Sequence, residues 1–248
     1  MTWIAPVLIL ALAAGSALLR RGTRWGSTPG ERSQAMIGDD YLAGGPRTCV
    51  AMTRAISIDA PPEQIWPWIA QLGRGAGWYS IDWLDNGRRE SARHIVSWIP
   101  EPAPGDSTAI GYLRQVKSPR TLAWWVDGVG FFGSQARLVT SYELLPEARG
   151  TRLVSRMSAD ATGLMAPVAL IIFRIVDSIM ARRQLLGIRE RVDVGRELQA
   201  GSKALETGAR EQYQLYEVIY ASGESAGLEG NEHAARWRES AAEDGILW

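Results

Sequence analysis

The period of the chain changes at Gly163, and that change limits the architecture more than any other feature. Before it, apolar and polar residues alternate in short runs. In "VAMTRAISI" (50–58), Met52, Arg54, Ile56 and Ile58 fall on one side; Ala51, Thr53, Ala55 and Ser57 fall on the other. "YLRQVKSP" (112–119), "TLAWWVDG" (121–128), "SQARLVTSYELL" (134–145) and "GTRLVSRMSAD" (150–160) are four further runs of this kind. A period of two marks a strand with unequal faces. "PEARG" (146–150) is a hairpin turn, and connections this short join antiparallel strands. After Gly163 the period lengthens. In "GLMAPVALIIFRIVDSIMARRQLLGIRERV" (163–192), Arg174, Asp177, Ser178 and Arg182 recur every few residues, leaving a wide apolar side of Val168, Ile172, Ile175, Val176 and Ile179. This predicts one long amphipathic helix with that apolar side laid on the sheet. A second membrane span is the alternative, but Arg174 and Asp177 would be expensive in its middle. Strands followed by a covering helix define an α+β layer.

Between the first strand and the rest, "DAPPEQIWPWIAQLG" (59–73) carries helix-start signals in its prolines and Glu63. Ile65, Trp66, Ile69 and Leu72 mark one helical face, and Gly73 ends it. Pro67 inside the run predicts a short, bent helix. The next stretch, "GAGWYSIDWLDN" (75–86), crowds Trp78, Tyr79 and Trp83 among Asp82, Asp85 and Asn86. "ESARHIVSWIPEPAPGD" (90–106) follows as a mixed segment ending in a proline-rich turn.

Thr2 to Leu19, "TWIAPVLILALAAGSALL", carries no charge, which reaches the short end of a membrane-spanning helix. Arg20, Arg21 and Arg24 all follow it. The positive-inside rule then predicts a single-pass anchor over residues 1–20, with the remainder cytoplasmic. A cleaved signal peptide is the rival: "GSA" is a passable cleavage site, but the basic leader is missing. Residues 21–47, polar and glycine-rich, read as a linker with room to lie along the domain surface. Residues 193–248 read as a helical extension, with Trp237 and Trp248 arguing against simple disorder.

Several chemistries lose support here. A lone Cys49 cannot build a disulfide framework or a cysteine metal cluster, and two histidines are too few for a histidine-rich zinc site, so no metal site is expected. A formal charge of zero gives no ground for nucleic acid as a partner. "GVGFFG" (128–133) satisfies G-x-G-x-x-G, but a strand rather than a helix follows, which fits a hairpin loop better than a dinucleotide site. "GESAG" (223–227) satisfies G-x-S-x-G without the surrounding sheet that a nucleophile elbow needs. No cofactor is expected.

"ISIDAPPEQIWPWIAQLG" resembles the first strand and helix of the START-like (Bet v 1-like, SRPBCC) superfamily. "GWYSIDWLDN", "SARHI" (91–95), "GD" (105–106), "TRLVSR" (151–156) and "FRIVDSIMARRQLLGIRERV" look like a bacterial subgroup of unassigned function. The resemblance runs from about Thr48 to Val192. It implies a helix-grip fold: a curved antiparallel sheet wrapped around the long C-terminal helix, with an apolar cavity between. Members bind or transfer lipids and other hydrophobic molecules, and some act on polyketide chains.

Under that resemblance Trp78, Tyr79, Trp83, Trp124, Tyr142 and Phe173 are candidate cavity walls, each with core packing as its rival reading. Arg156 would bind a carboxylate or phosphate if it faced the cavity, and would be a solvated strand charge if it faced outward. Asp82, Asp85 and Asn86 are polar anchors or helix caps. Asp82, His94 and Tyr79 are the candidate acid–base groups. Three functions stay open: a membrane-anchored binder of a hydrophobic small molecule or lipid; a cyclase or dehydratase using the same cavity; and an interaction module working through residues 193–248.

Overall fold

The computed structural model describes residues 4–42, 49–108, 111–131 and 134–200, with the backbone alone for 4–12, 129, 131 and 196–200. Five strands form one antiparallel sheet: β1 (Cys49–Ile58), β2 (Tyr112–Lys117), β3 (Thr121–Phe131), β4 (Ser134–Pro146) and β5 (Thr151–Thr162), in the order β1-β5-β4-β3-β2. The helices are α1 (Ile4–Thr23), α2 (Pro29–Ser33), α3 (Pro62–Ala70), α4 (Asp82–Asp85) and α5 (Ala166–Ala200). This is an α+β, helix-grip arrangement, with α5 laid on one face of the curved sheet. The five alternating runs become the five strands, and Pro67 sits inside a helix of nine residues. Gly128 and Gly130 of "GVGFFG" lie near the end of β3, which pairs antiparallel with β4, and no helix starts there. "GESAG" lies outside the described residues.

Register decides which side chains meet. Arg54, Ser155, Tyr142 and Leu122 are paired across four strands, and so are Met52, Met157, Thr140 and Trp124. Side chains alternate along a strand, so both rows face α5. At one end the space under α5 is solid: Ile56, Ile58, Leu144 and Leu153 of the sheet pack with Ile65 and Ile69 of α3 and Leu185, Ile188 and Val192 of α5.

The orientation of α5 differs from the sequence expectation. Val168, Ile175, Val176 and Ile179 are exposed, and Asp177 is buried against the sheet. The cause is on β1. Arg54 belongs to the inward row and is 1% exposed. A buried charge needs a partner, and Asp177 supplies it, with Arg54 Nη2 2.7 Å from Asp177 Oδ2. The small residues Ala166 and Ala169 beside Leu170 let this face approach the sheet.

Residues 24–42, expected to be a linker, pack across the outer face of the sheet. The Ala55 amide donates to Trp25 O (3.1 Å), and Ser27 Oγ donates to Thr53 O (2.8 Å). Thr28 and Glu31 cap α2 reciprocally. Met36 is buried with Ala55 and Val154. Arg54 also reaches the end of α1, where Nε donates to Gly22 O (3.0 Å).

No helix among the described residues is long and apolar enough to cross a membrane. The side chains of residues 1–12, which carry much of the apolar run behind the anchor expectation, lie outside the described residues. So do residues 201–248, most of the expected extension. Residues 193–200 continue α5.

Candidate functional site

Toward the other end of α5 the packing opens into a cavity of about 410 Å³ between sheet and helix. Its floor is the two inward rows, with Trp124, Thr140, Tyr142, Ser155 and Met157. Its roof is the Phe173–Gln184 segment of α5, where Ala181 leaves space that a longer side chain would fill. Trp78, Ser80, Leu84 and Asp85 close one side. Trp78 meets Trp124 edge to face, with centroids 6.5 Å apart. The tight turn at Gly73 (φ 65°) brings the Trp78 ring to where a Cβ would sit, 2.3 Å away, so only glycine fits there.

The walls are mostly apolar, and the polar groups among them are largely committed. Tyr142 Oη donates to Gln184 Oε1 (2.7 Å), and Gln184 Nε2 donates to Trp78 O (3.0 Å). Burial pushes the Tyr142 hydroxyl well above the ordinary phenol range, so it remains a neutral donor. Burial also pushes the Asp177 carboxyl up, while the Arg54 guanidinium pulls against it. Apart from Asp177 Oδ2, which is ion-paired with Arg54, two buried atoms of the lining differ: Trp124 Nε1 and Asp85 Oδ1 have no hydrogen-bond partner among the described residues. Burial raises the Asp85 pKa, and the Ser80 hydroxyl hydrogen bonds to its other oxygen, opposing that rise. The cavity therefore offers one unpaired indole donor and one carboxyl oxygen in an apolar surround.

Of the seven candidate ligand contacts, the six wall aromatics and Arg156, four line the cavity: Trp78, Trp124, Tyr142 and Phe173. Three do not. Trp83 points to solvent, 68% exposed. Tyr79 is buried in the core, with its hydroxyl receiving Gln71 Nε2 (2.5 Å), its amide donating to Ser91 Oγ (3.1 Å) and Arg191 stacked 4.3 Å over its ring. Those contacts hold Tyr79 at φ 59°, a conformation that costs a non-glycine residue about 1 kcal/mol or more. Arg156 lies on the outer row with Thr53 and Ser141. It is clamped there by Thr53 Oγ1 (3.0 Å), Gln34 O (2.9 Å), Glu31 O (2.8 Å) and Asp39 Oδ2 (2.5 Å). It is neither a ligand anchor nor a solvated charge.

The acid–base candidates are also joints. Asp82 accepts from Ser91 N (3.0 Å) and Ser91 Oγ (2.5 Å), tying "SIDWLD" to "SARHI". His94 is half-buried outside the cavity lining, and burial lowers its pKa to about 4. Asp106 of "GD" pairs with buried Arg74 at 2.6 Å. Of the candidate polar anchors, Asp85 lines the cavity; Gln184 and Ser155 also line it and carry no expectation from the sequence. For Gln184 the usable signal was its spacing, seven residues after Asp177 on one face of α5.

No family model matches the chain, and no curated protein matches it. Solved structures do. Protein MLL2253 from Mesorhizobium loti shares 17% identity over 58% of this chain and 97% of its own, at a TM-score of 0.36. Protein NE0264 from Nitrosomonas europaea shares 13% over 59% and 96%, at 0.39. The di-domain ARO/CYC BexL from the BE-7585A biosynthetic pathway shares 13% over 61% of this chain, at 0.39. The match spans 52% of BexL's length. Likenesses this loose carry no argument about the family or function of this chain; its α+β layer rests on the sheet order and on α5 themselves.

Proposed function

We propose that this chain binds a hydrophobic small molecule or lipid, held near a membrane by α1 as a single-pass anchor with the domain on the cytoplasmic side. The cavity carries the reading. Its volume falls in the range of small-molecule sites, roughly 300–1,000 Å³. Its walls favour apolar surface, and Trp124 Nε1 with Asp85 Oδ1 favours one or two oxygen atoms on the ligand. A bilayer is where such molecules reside, and the uncharged run Thr2–Leu19 followed by Arg20, Arg21 and Arg24 supports the anchor.

The test is native mass spectrometry of the full chain released with its own lipids, beside the variant Ala181→Trp. Wild type should carry a small molecule that the filled variant lacks. Equal loading of both, or an empty wild type, would refute the reading.

Asp85 favours a second reading, a cyclase or dehydratase. A carboxyl with a pKa raised by burial can donate a proton inside an apolar site. Asp85→Asn would then abolish turnover of the bound molecule while leaving its retention intact. Unchanged turnover would end this reading.

A further inference from the structure

The first half of α5 is apolar on both sides. Ala166, Ala169 and Leu170 are buried against the sheet, while Val168, Ile171, Ile175 and Ile179 are exposed. At helical spacing those four form one outward stripe. A helix segment with apolar residues on two sides belongs where both are covered. Only one cover is provided by the sheet.

The ground beside the stripe identifies the other. The end of α1 crosses α5 at Gly22, where a Cβ would lie 2.8 Å from Ser178 Cβ. The two helices then enclose a groove of about 890 Å³, lined by Leu18, Trp25 and Ile179 together with Arg21, Arg182 and Arg183, and by no acid. Ala13 to Leu18 are all exposed, so α1 leaves the body as bare apolar helix at this point. Apolar stripe, apolar helix and arginine cluster are continuous.

We propose that this face of α5 lies in the headgroup layer of an anionic bilayer, as a second membrane contact beside α1. The proposal rests on reading α1 as a span. The apolar run of α1 ends at Arg20 and Arg21, the depth at which arginines meet phosphates. Arg182 and Arg183 open into the same groove and meet the same layer. The stripe then sinks about 5–10 Å into the boundary between headgroups and acyl chains, as an in-plane amphipathic helix does. Val176 lies beside the stripe and also lines the cavity, 39% exposed. Docking in this way sets the cavity's α5 edge against the acyl chains from which an apolar ligand would come.

Single cysteines test this in the full chain, in a Cys49→Ser background, at Ala13, Ile171, Ile179 and Arg189. Each is labelled with an environment-sensitive fluorophore and reconstituted into phosphatidylcholine–phosphatidylglycerol vesicles. Lipids bearing a spin quencher should quench the labels at Ile171, Ile179 and Ala13, and leave that at Arg189 bright. If Ala13 is quenched while Ile171 and Ile179 are as open to aqueous dithionite as Arg189, the docking face is overturned and the anchor stands. If Ala13 also escapes the lipid quencher, both fall. Labels at Ile171 and Ile179 shielded from both reagents would mean that protein covers the stripe, residues 201–248 or a second copy, and would overturn the proposal. Equal quenching at Ile179 in pure phosphatidylcholine would overturn the role given to the arginines.

Discussion

Removing Asp177 should cost this fold more than the loss of an ordinary surface ion pair. Arg54 is 1% exposed, and its guanidinium lies 2.7 Å from the carboxylate. Among the described residues its other hydrogen-bond partners are Gly22 O and the Met52 sulfur. Neither neutralises a charge. Asp177→Leu strands that charge under α5, at a cost of about 3–5 kcal/mol. For a domain of this size each kcal/mol moves the melting temperature roughly 2–4 °C, so a drop on the order of 10 °C is expected. Replacing both partners removes the charge instead of stranding it. Arg54→Met with Asp177→Leu should recover to within about 1–2 kcal/mol of wild type, because isolated buried pairs contribute little net stability. Urea denaturation followed by tryptophan fluorescence reads all four members of the cycle. A single variant costing less than about 1 kcal/mol, or a double variant no better than the single, would refute the claim that this pair sets the rotation of α5.

Three other outcomes are expected. His94 binds its proton at about pH 4 when folded, against about 6.5 when unfolded, so the unfolded state takes up more protons between those values. Stability should hold above pH 6.5 and fall as the pH drops toward 4, by about 1–2 kcal/mol after allowance for a half-exposed ring; a His94→Gln variant that kept the same acid limb would contradict this. Gly187→Val should destabilise by about 1–3 kcal/mol, since a Cβ there stands 2.4 Å from the Tyr79 carbonyl and a backbone must move; an unchanged urea midpoint would count against that contact. Arg156→Met should cost about 3 kcal/mol by stripping the partners of Asp39 and three carbonyls, and should open residues 24–42 to limited proteolysis; equal cleavage of variant and wild type would exclude the clamp.

The sheet was legible because alternation is a local property, and each of the five runs carries its own period and boundary. The rotation of α5 was not. Both sides of its first half are apolar, so periodicity alone cannot choose between them. The choosing residue is Arg54, more than a hundred positions earlier, visible as a charge among Met52, Ile56 and Ile58 on an inward face. A buried arginine there requires an acid opposite, and Asp177 is the one acid in the first part of the helix. The aromatics of "GWYSIDWLDN" show the same limit. Trp78, Tyr79 and Trp83 are alike in composition, yet one lines the cavity, one is core and one is bare. What separates them is the turn at Gly73 and the left-handed backbone at Tyr79, and only tertiary contacts fix those. Asp85 and Ser80 became a pair in the wall through the same loop geometry.

Residues 24–42 carry a consequence for reach. A free chain of that length would let the domain wander roughly 20–25 Å from the end of α1. Here Ser27, Arg152, Met36 and Arg156 fasten it to the back of the sheet at intervals, and Arg54 holds Gly22 from the front. The domain is mounted like a blade on a handle rather than a float on a cord. Any tilt of α1 turns the sheet, α5 and the cavity with it.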